Sequence, residues 1–508
     1  MEKKIDSIFE IWHDTAGAGG QVLVTHKGKV IFDKCYGYAN LETGTPITQD
    51  SIFYIASISK MITGMAIMML QEQGKLHVDD DVRKYVPEYV GFAQKVTLRQ
   101  LLDHTSGFRC HIATRYLQGM TTRDVNTYKE TLSHIARQKD LSHAPGEKFT
   151  YSNPNYVLLA AVVEKVTGED FRTWIQENIF IPLGMEDSFI PGDPAKVIPN
   201  KVSSYNDNGY RYKTAIISCG VYGSTGVYST GRDLTKFMLQ FQKPTLVSQK
   251  TLEEVAFRLP EVKVGTTITG GGVRVSYMEG HRHLHHGGVK GGNRTIAMIF
   301  PEDELVVTIF ANTHNLPVET SARDVARVVL DLPRRKLKNL DEYKKDSADL
   351  SKVAGLYRTP GYSLYEFDVQ GEQVFCDGVP LEHLGGNLYK QGRLNRVFAI
   401  GDTIMKLENN LLAELVPYEP VMPAALAEEF VGTYYNEDCD ALWKVIFDGE
   451  NLFWEHSRHG KQLLRHLEGE TFYDGAWRLT LMRDDSGKLT GFRCDGRNLQ
   501  NVIFQKMK

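Results

Sequence analysis

Apolar residues run almost unbroken from Met61 to Leu70, with Thr63 and Gly64 as the interruptions. A segment apolar on every side reads as a buried helix. Upstream, Gln21 to Phe32 holds two β-rich runs around a Lys-Gly turn, the pattern of a hairpin. Val96 to Leu102 opens another helix, which runs into Asp103-His104-Thr105-Ser106-Gly107. Residues 110–140 are helical in pattern but irregular and polar, as expected of a cover over a cleft. The loop Pro145 to Pro154 precedes a second buried helix, Tyr156 to Val166, stopped by Thr167-Gly168. A glycine-rich stretch, Gly220 to Gly231, leads into a helix from Arg232. Strands are expected at Gly272 to Tyr277, His281 to His285, Thr295 to Phe300 and Leu305 to Ala311, then a closing helix at Val318 to Leu330. Consecutive late strands in an α/β pattern predict an antiparallel sheet flanked by helices, with a helical subdomain.

Pro333 to Lys352 is charge-rich, with Arg334-Arg335-Lys336 and Lys344-Lys345-Asp346, and reads as a linker. Beyond it the pattern turns all-β and repeats. Val353-Ala354-Gly355-Leu356-Tyr357 matches Phe430-Val431-Gly432-Thr433-Tyr434, and Val369 to Phe375 matches Phe447 to Phe453. His383-Leu384 with Leu388-Tyr389 matches His466-Leu467 with Phe472-Tyr473. Two such units fit a pair of small antiparallel barrels. The expected domains are 1–335, 351–418 and 425–508.

A chain of 508 residues exceeds a single core, in keeping with that division. Net charge is −4, so no basic excess points to nucleic acid or an anionic membrane. The longest apolar run is too short to span a bilayer. Ile5, Ile8, Phe9 and Trp12 are spaced as a short amphipathic helix containing acids, unlike a signal peptide, so a cytoplasmic location is expected. The 6 cysteines are scattered without a C-x-x-C, as for free thiols in a reducing compartment.

Chemistry enters with Ser57-Ile58-Ser59-Lys60, at the start of the first buried helix. Ser57 would meet the free N–H groups of the helix N-terminus, and Lys60 shares its face one turn on. A desolvated lysine can lose its proton near neutral pH and act as a base. By itself the tetrapeptide fits better an N-cap serine with a snorkelling lysine, since S-x-x-K often arises by chance. Tyr151-Ser152-Asn153 supplies a phenol able to pass a proton and an amide able to hold a carbonyl or Lys60. His285-His286-Gly287-Gly288 closes a strand, with glycines that let a substrate lie along the backbone. His281, His283 and His285 alternate on one strand face, but no H-E-x-x-H or carboxylate completes a zinc site, so no metal is expected. No G-x-S-x-G elbow or P-loop is present, and Gly270-Gly271-Gly272 reads as a turn.

In this order, S-x-x-K, Y-x-N and H-x-G resemble the β-lactamase and penicillin-binding serine hydrolases, class C type, the S12 peptidase family. Leu102-Asp103-His104-Thr105-Ser106-Gly107, Pro145-Gly146 with Phe149-x-Tyr151-Ser152-Asn153, Pro182-Leu183-Gly184-Met185 and Gly226-Val227-Tyr228-Ser229-Thr230 extend the resemblance over about residues 15–330. It implies a Ser57 acyl-enzyme, with Lys60 and Tyr151 sharing the proton traffic and His285 beside Tyr151. It further implies Asn153 on the substrate carbonyl or Lys60, and an oxyanion hole from the N–H groups of Ser57 and Gly288. Lys290 departs from the proline expected after H-x-G-G. The appended barrels, lipocalin-like in the resemblance, are similar to the architecture of the D-aminopeptidase branch. In that branch a barrel loop reaches the active site, which makes Asp474 the candidate anchor for a substrate amine. The function implied is hydrolysis of amide bonds in small peptides or amino-acid amides, as a D-aminopeptidase or D-amino-acid amidase. Carboxylesterase or β-lactamase-type activity with the same residues is the alternative, and a non-catalytic sensor of peptidoglycan fragments is another. No cofactor is implied. The partners are small amide or ester substrates, without nucleic acid or membrane, and a homodimer is left open.

Overall fold

A computed structural model describes the chain except for residues 14–15, 122, 259–267, 334–339, 360–362, 393, 395, 402, 409–410, 497–498 and 508. The N-terminal hairpin is β1 (Gly20–His26) and β2 (Lys29–Tyr36). The main helices of the first region are α1 (Ser59–Glu72), α2 (His111–Leu117), α3 (Asn153–Thr167) and α4 (Gly231–Met238). Five strands follow: β3 (Ile268–Gly270), β4 (Val273–Met278), β5 (His281–Lys290), β6 (Asn293–Phe300) and β7 (Leu305–Ala311). Helix α5 (Val318–Val329) closes the region. The strands form one antiparallel sheet in the order β3-β4-β5-β6-β7-β1-β2, so the hairpin from the chain's start pairs with the last strand.

This sheet is covered on both faces, which is why every residue of β7 is buried. On one face Ile5, Phe9 and Trp12 join Val325 and Ala326 of α5 in a cluster with β6 and β7. On the other, α1, α3 and α4 share a larger core. Helix α1 is buried from Ser59 through Leu70, as its unbroken apolar run requires. Its Gly64 admits the turn at Gly270-Gly271-Gly272. A Cβ on Gly64 would stand 1.9 Å from the Gly271 carbonyl oxygen, so the backbones touch. That turn packs against the helix that carries Lys60.

Strand β5 runs to Lys290, beyond the His285 end expected from the sequence. Pairing with β6 persists through Lys290↔Asn293, whereas pairing with β4 begins only at Arg274↔His285. Among the described residues, 286–290 therefore have a free edge on the β4 side.

The C-terminal repeats are two different sheets. The first holds nine strands between Gly355 and Pro417. Its end strands, Val379–Pro380 and Glu382–Gly385, are separated only by Leu381, so the sheet curls back on itself without an edge-to-edge ladder among the described residues. The second is a closed barrel of eight strands in sequence order, from Gly432–Asn436 to Leu499–Lys506. Helix α6 (Ala424–Phe430) precedes it and buries Phe430 in its core. The Arg334-Arg335-Lys336 charge run lies outside the described residues. No described helix is long and apolar enough to cross a membrane.

The closed barrel docks on the region expected to cover the cleft. Leu117, at the end of α2, is fully buried within the barrel's own apolar cluster. Trp443 Nε1 donates to the Leu117 carbonyl at 2.7 Å, and Gln462 Nε2 donates to the Tyr116 hydroxyl at 3.0 Å. Tyr116 stacks on His459 with ring centroids 4.2 Å apart. Gly119 follows, with the His456 ring where a Cβ would stand. Buried Arg109 adds a second tie: its guanidinium donates to the Asn501 carbonyl at 2.9 Å and pairs with Asp438 at 3.2 Å. The first region thus inserts a segment of itself into the barrel.

Candidate active site

Ser57 sits in the single 3₁₀ turn Ala56–Ile58 that leads into α1. Ala56 holds φ at +49°, a left-handed conformation costly for a residue with a Cβ. Neighbours pin it there. Ser59 Oγ donates to the Ala56 carbonyl at 2.7 Å and accepts from the Val227 N–H at 3.2 Å. Thr295 Oγ1 donates to the Ile55 carbonyl at 3.1 Å. Ser59 is therefore a strut of the turn, and Ser57 is the serine that opens to the pocket.

Lys60 is fully buried, and its amine reaches three acceptors. Nζ lies 3.2 Å from Ser57 Oγ, 2.8 Å from Asn153 Oδ1 and 2.7 Å from the Ser224 carbonyl. Burial pulls its pKa down to about 7, with Arg274 adding to the effect and Cys110 opposing it. In the neutral form the amine can donate to Asn153 and Ser224 and turn its lone pair to the Ser57 hydroxyl. The Tyr151 hydroxyl is hydrogen-bonded to Ser57, and the Tyr151 ring lies 4.9 Å from Lys60 Nζ. Burial raises the Tyr151 pKa to about 12, while the Ser57 contact lowers it. At neutral pH the phenol keeps its proton and the lysine is close to giving one up.

His285 points away from this group. Its ring stacks on His283 at 5.3 Å, and its Nε2 lies 3.5 Å from Ser276 Oγ. His286, on the opposite face of β5, stands 6.3 Å from the Tyr151 ring. Alternation along the strand decides this: His286 shares a face with Gly288, and His285 does not. The H-x-G register is therefore His286-Gly287-Gly288, one residue later than the sequence reading. His286 Nδ1 lies 2.7 Å from the Gly287 carbonyl, so Nδ1 carries the proton and Nε2 is free to accept. Burial, then Arg274 and Lys60, hold its pKa well below the usual histidine value. Gly288 is pressed on the turn: a Cβ there would lie 2.2 Å from the Ile55 carbonyl oxygen. His281 pairs with Asp303 at 2.9 Å, and among the described residues no three His, Cys, Asp or Glu side chains converge as a metal cage. These placements separate two variants. His286→Ala should lower kcat/KM by about 10²-fold by unseating Tyr151. His285→Ala should leave it unchanged, as steady-state kinetics on both would show.

Asp474 is not at the pocket. Its Oδ1 accepts from the N–H groups of Ala476 and Trp477 at 2.8 and 2.7 Å, and its Oδ2 accepts from Trp454 Nε1 at 3.0 Å. All of these bonds join residues of the closed barrel to one another, and burial raises the Asp474 pKa. The carboxylate closes its own turn and holds an interior tryptophan. The residue that the motif reading left without a role is His104. Its Nδ1 accepts from the Ser152 N–H at 3.1 Å, and its ring lies 4.4 Å from Tyr151. It buttresses the Tyr151 loop from behind.

Ser57 opens into a small pocket of about 150 Å³. Its walls include His111, Ile112, Arg115 and Tyr116 of α2, then Asn153, Ser224, and Val289 and Lys290 of β5.

A family model described as Beta-lactamase matches residues 6–332. Among similar curated proteins, Penicillin-binding protein 4* of Bacillus subtilis is 25% identical over 403 residues, covering 74% of this chain and 87% of that protein. Protein flp of Staphylococcus aureus is 31% identical over 235 residues, and there the match spans 45% of this chain and 43% of the relative. Among solved structures, the octameric penicillin-binding protein homologue from Pyrococcus abyssi superposes with a TM-score of 0.60 at 25% identity, over 82% of this chain and 99% of that one. D-amino acid amidase from Ochrobactrum anthropi, at 19% identity and a TM-score of 0.55, covers 65% of this chain and 99% of its own; that likeness is one of fold. With the family match extending over well over half of its length, the chain belongs to the beta-lactamase family of serine hydrolases.

Proposed function

We propose that this protein hydrolyses amide bonds of small substrates through an acyl-enzyme on Ser57, with D-amino-acid amides and short D-peptides as the substrate class. The observation that carries the reading is the contact of Ser57 Oγ with a buried lysine whose pKa lies at about 7. Neutral Lys60 takes the proton as Oγ attacks the carbonyl carbon. The N–H of Ser57 and the strand backbone at Gly288 receive the oxyanion, a contribution worth about 10²–10³ in rate per donor. Protonated Tyr151, steadied by His286 and His104, returns a proton to the leaving nitrogen. Water then attacks the ester by the reverse route and frees Ser57. Substrate is limited to small molecules by the volume of the pocket. The D-preference is carried over from the amidase fold relative and is the finer part of the proposal. An obligatory free amine is not part of it, because no Asp or Glu is among the described pocket-lining residues. A reducing compartment suits the 6 unpaired cysteines.

The test is a fluorophosphonate probe followed by a kinetic panel of D- and L-aminoacyl amides, free and N-acetylated, beside the matching esters. Labelling at Ser57 with amide turnover is expected. An unlabelled Ser57 rules out the hydrolase, and turnover of esters alone makes the enzyme an esterase.

A further inference from the structure

The Asn153 amide is held at both of its ends. Its Oδ1 lies 2.8 Å from Lys60 Nζ, and its Nδ2 donates to Cys110 Sγ at 3.7 Å. Cys110 is 4% exposed and directly precedes α2. A polar side chain at that place commonly turns back to cap the first free N–H groups of the helix. The Cys110 thiol does not cap α2; it is turned to Asn153 instead. The Cys110 carbonyl accepts from the N–H groups of Ala113 and Thr114 at 3.0 and 3.1 Å, so the first turn of α2 fixes where the sulfur stands. Asn153 is the first residue of α3, which is buried from Pro154 to Val163. The contact therefore joins the starts of two helices at the edge of the Lys60 cluster. Cys110 is also near enough to raise the proton affinity of both Lys60 and Tyr151.

The direction of this amide matters because of what Lys60 has to do. A protonated amine offers only donors, so the oxygen end of Asn153 must face it. A neutral amine has one lone pair, and removal of the Ser57 proton needs that lone pair. An amide turned end for end would donate Nδ2 to the lone pair and occupy the base. With its pKa at about 7, Lys60 reaches the neutral form near neutral pH, and in that form it no longer forbids the turned amide. Something on the far side of the amide then has to keep its direction. In the structure the acceptor for Nδ2 is Cys110 Sγ. Sulfur accepts weakly, so the hold biases the amide without freezing it.

We propose that Cys110 is a positioning residue for the acylation of Ser57: its sulfur receives Asn153 Nδ2 and so keeps Asn153 Oδ1, rather than the amide N–H, turned to Lys60. This rests on the reading of Lys60 as the proton acceptor, although the direction of the amide can be measured without any turnover. The thiol forms and breaks no covalent bond in this role. It acts through Asn153 and lies outside the S-x-x-K, Y-x-N and H-x-G segments.

The test compares full-length Cys110→Ala and Cys110→Ser with the parent above the Lys60 pKa of about 7, where the amine is mostly neutral. Fluorophosphonate labelling of Ser57 should slow by about 3- to 10-fold in Cys110→Ala, the worth of one ordinary hydrogen bond. Cys110→Ser, whose hydroxyl oxygen can accept from Nδ2, should stay within about twofold of the parent. In an Asn153→Ala background, Cys110→Ala should leave the labelling rate unchanged, because the amide it directs is gone. A merely structural role would slow labelling equally in both backgrounds. The second measurement is exchange of the Asn153 side-chain amide protons with water, by NMR of deuterated protein carrying labelled asparagine, with the signals assigned by their loss in Asn153→Ala. Exchange should be about threefold or more faster in Cys110→Ala than in the parent or Cys110→Ser. Unchanged labelling in Cys110→Ala, an equal loss in the Asn153→Ala background, no rescue by Cys110→Ser, or unchanged amide exchange overturns the proposal. Should Cys110→Ala fail to fold by thermal melting, Cys110→Val, similar in shape and without an acceptor, takes its place with the same expectations. Failure of the hydrolase reading would show instead as an unlabelled parent, and amide exchange then decides the direction of Asn153 by itself.

Discussion

Replacing Lys60 with methionine is expected to slow acylation of Ser57 by about 10²–10⁴-fold, the usual worth of a positioned proton acceptor. The time course of fluorophosphonate labelling measures this directly. Two features make the effect large. Lys60 is the cation in hydrogen-bond reach of Ser57 Oγ, and Tyr151, with its pKa raised to about 12, is a poor substitute base near neutral pH. The pH dependence follows from the same values. Acylation should rise with pH through about 7, as Lys60 loses its proton, and then level off. An acylation rate that is flat from pH 5 to 9 would remove Lys60 from the role. Stability carries the matching signature. In the unfolded chain the lysine titrates near its ordinary value of 10.5, and burial brings it to about 7 in the folded protein. Between those values the unfolded chain binds the extra proton, so this group's contribution to stability rises with pH from about 7 to about 10.5 and is constant below. Denaturant titrations of the parent and Lys60→Met at pH 7 and 9 read the difference.

Leu117→Ala should cost about 2–5 kcal/mol of stability, although the residue belongs to the catalytic region and its packing partners to the barrel. The side chain is fully buried among barrel residues, and its carbonyl accepts from Trp443. The preceding α2 residues His111, Ile112, Arg115 and Tyr116 form one wall of the Ser57 pocket. Loosening the end of the helix should therefore raise KM for small substrates, with kcat little changed, and admit bulkier ones. Urea denaturation and kinetics on the same preparation test both halves. A stable variant with the parent's KM would show that the barrel does not hold the wall.

How much of this was legible in the chain depends on range. Ser57, Lys60, Tyr151 and Asn153 lie in short motifs that are weak one by one, and the resemblance of their order to the β-lactamase and penicillin-binding serine hydrolases is what groups them. The two-histidine run at His285-His286 was ambiguous because neighbouring strand residues face opposite ways, and either could begin an H-x-G-like segment. The parity of Gly288, which must face Ile55, settles it. The repeat in the C-terminal third implied a pair of small antiparallel barrels, and the structure holds one closed barrel and one nine-stranded sheet that curls back on itself among the described residues. Whether each ladder closes depends on how its edge strands meet, and the repeat says nothing of that. Asp474 was misplaced because an Asp-Gly turn looks the same whether it reaches a neighbouring domain or closes over its own tryptophan. Arg115 drew no attention for a related reason. A single arginine in a polar helical stretch is unremarkable until packing buries it in the pocket wall near Ser57.

The segment that fills the barrel has a consequence for how the protein is made. Leu117 leaves the ribosome 326 residues before Trp443, the side chain that will bond it. At about 5–20 residues per second, that is roughly 15–65 s of synthesis. During that interval the catalytic region can form its sheet and buried helices, while Tyr116 and Leu117 stand uncovered and one side of the pocket is unsupported. The pocket wall is thus completed by a part of the chain translated well after it. A message cut short before the barrel would yield a serine hydrolase core with an unfinished wall and an adhesive apolar tip, a product suited to capture by chaperones and proteases rather than to work.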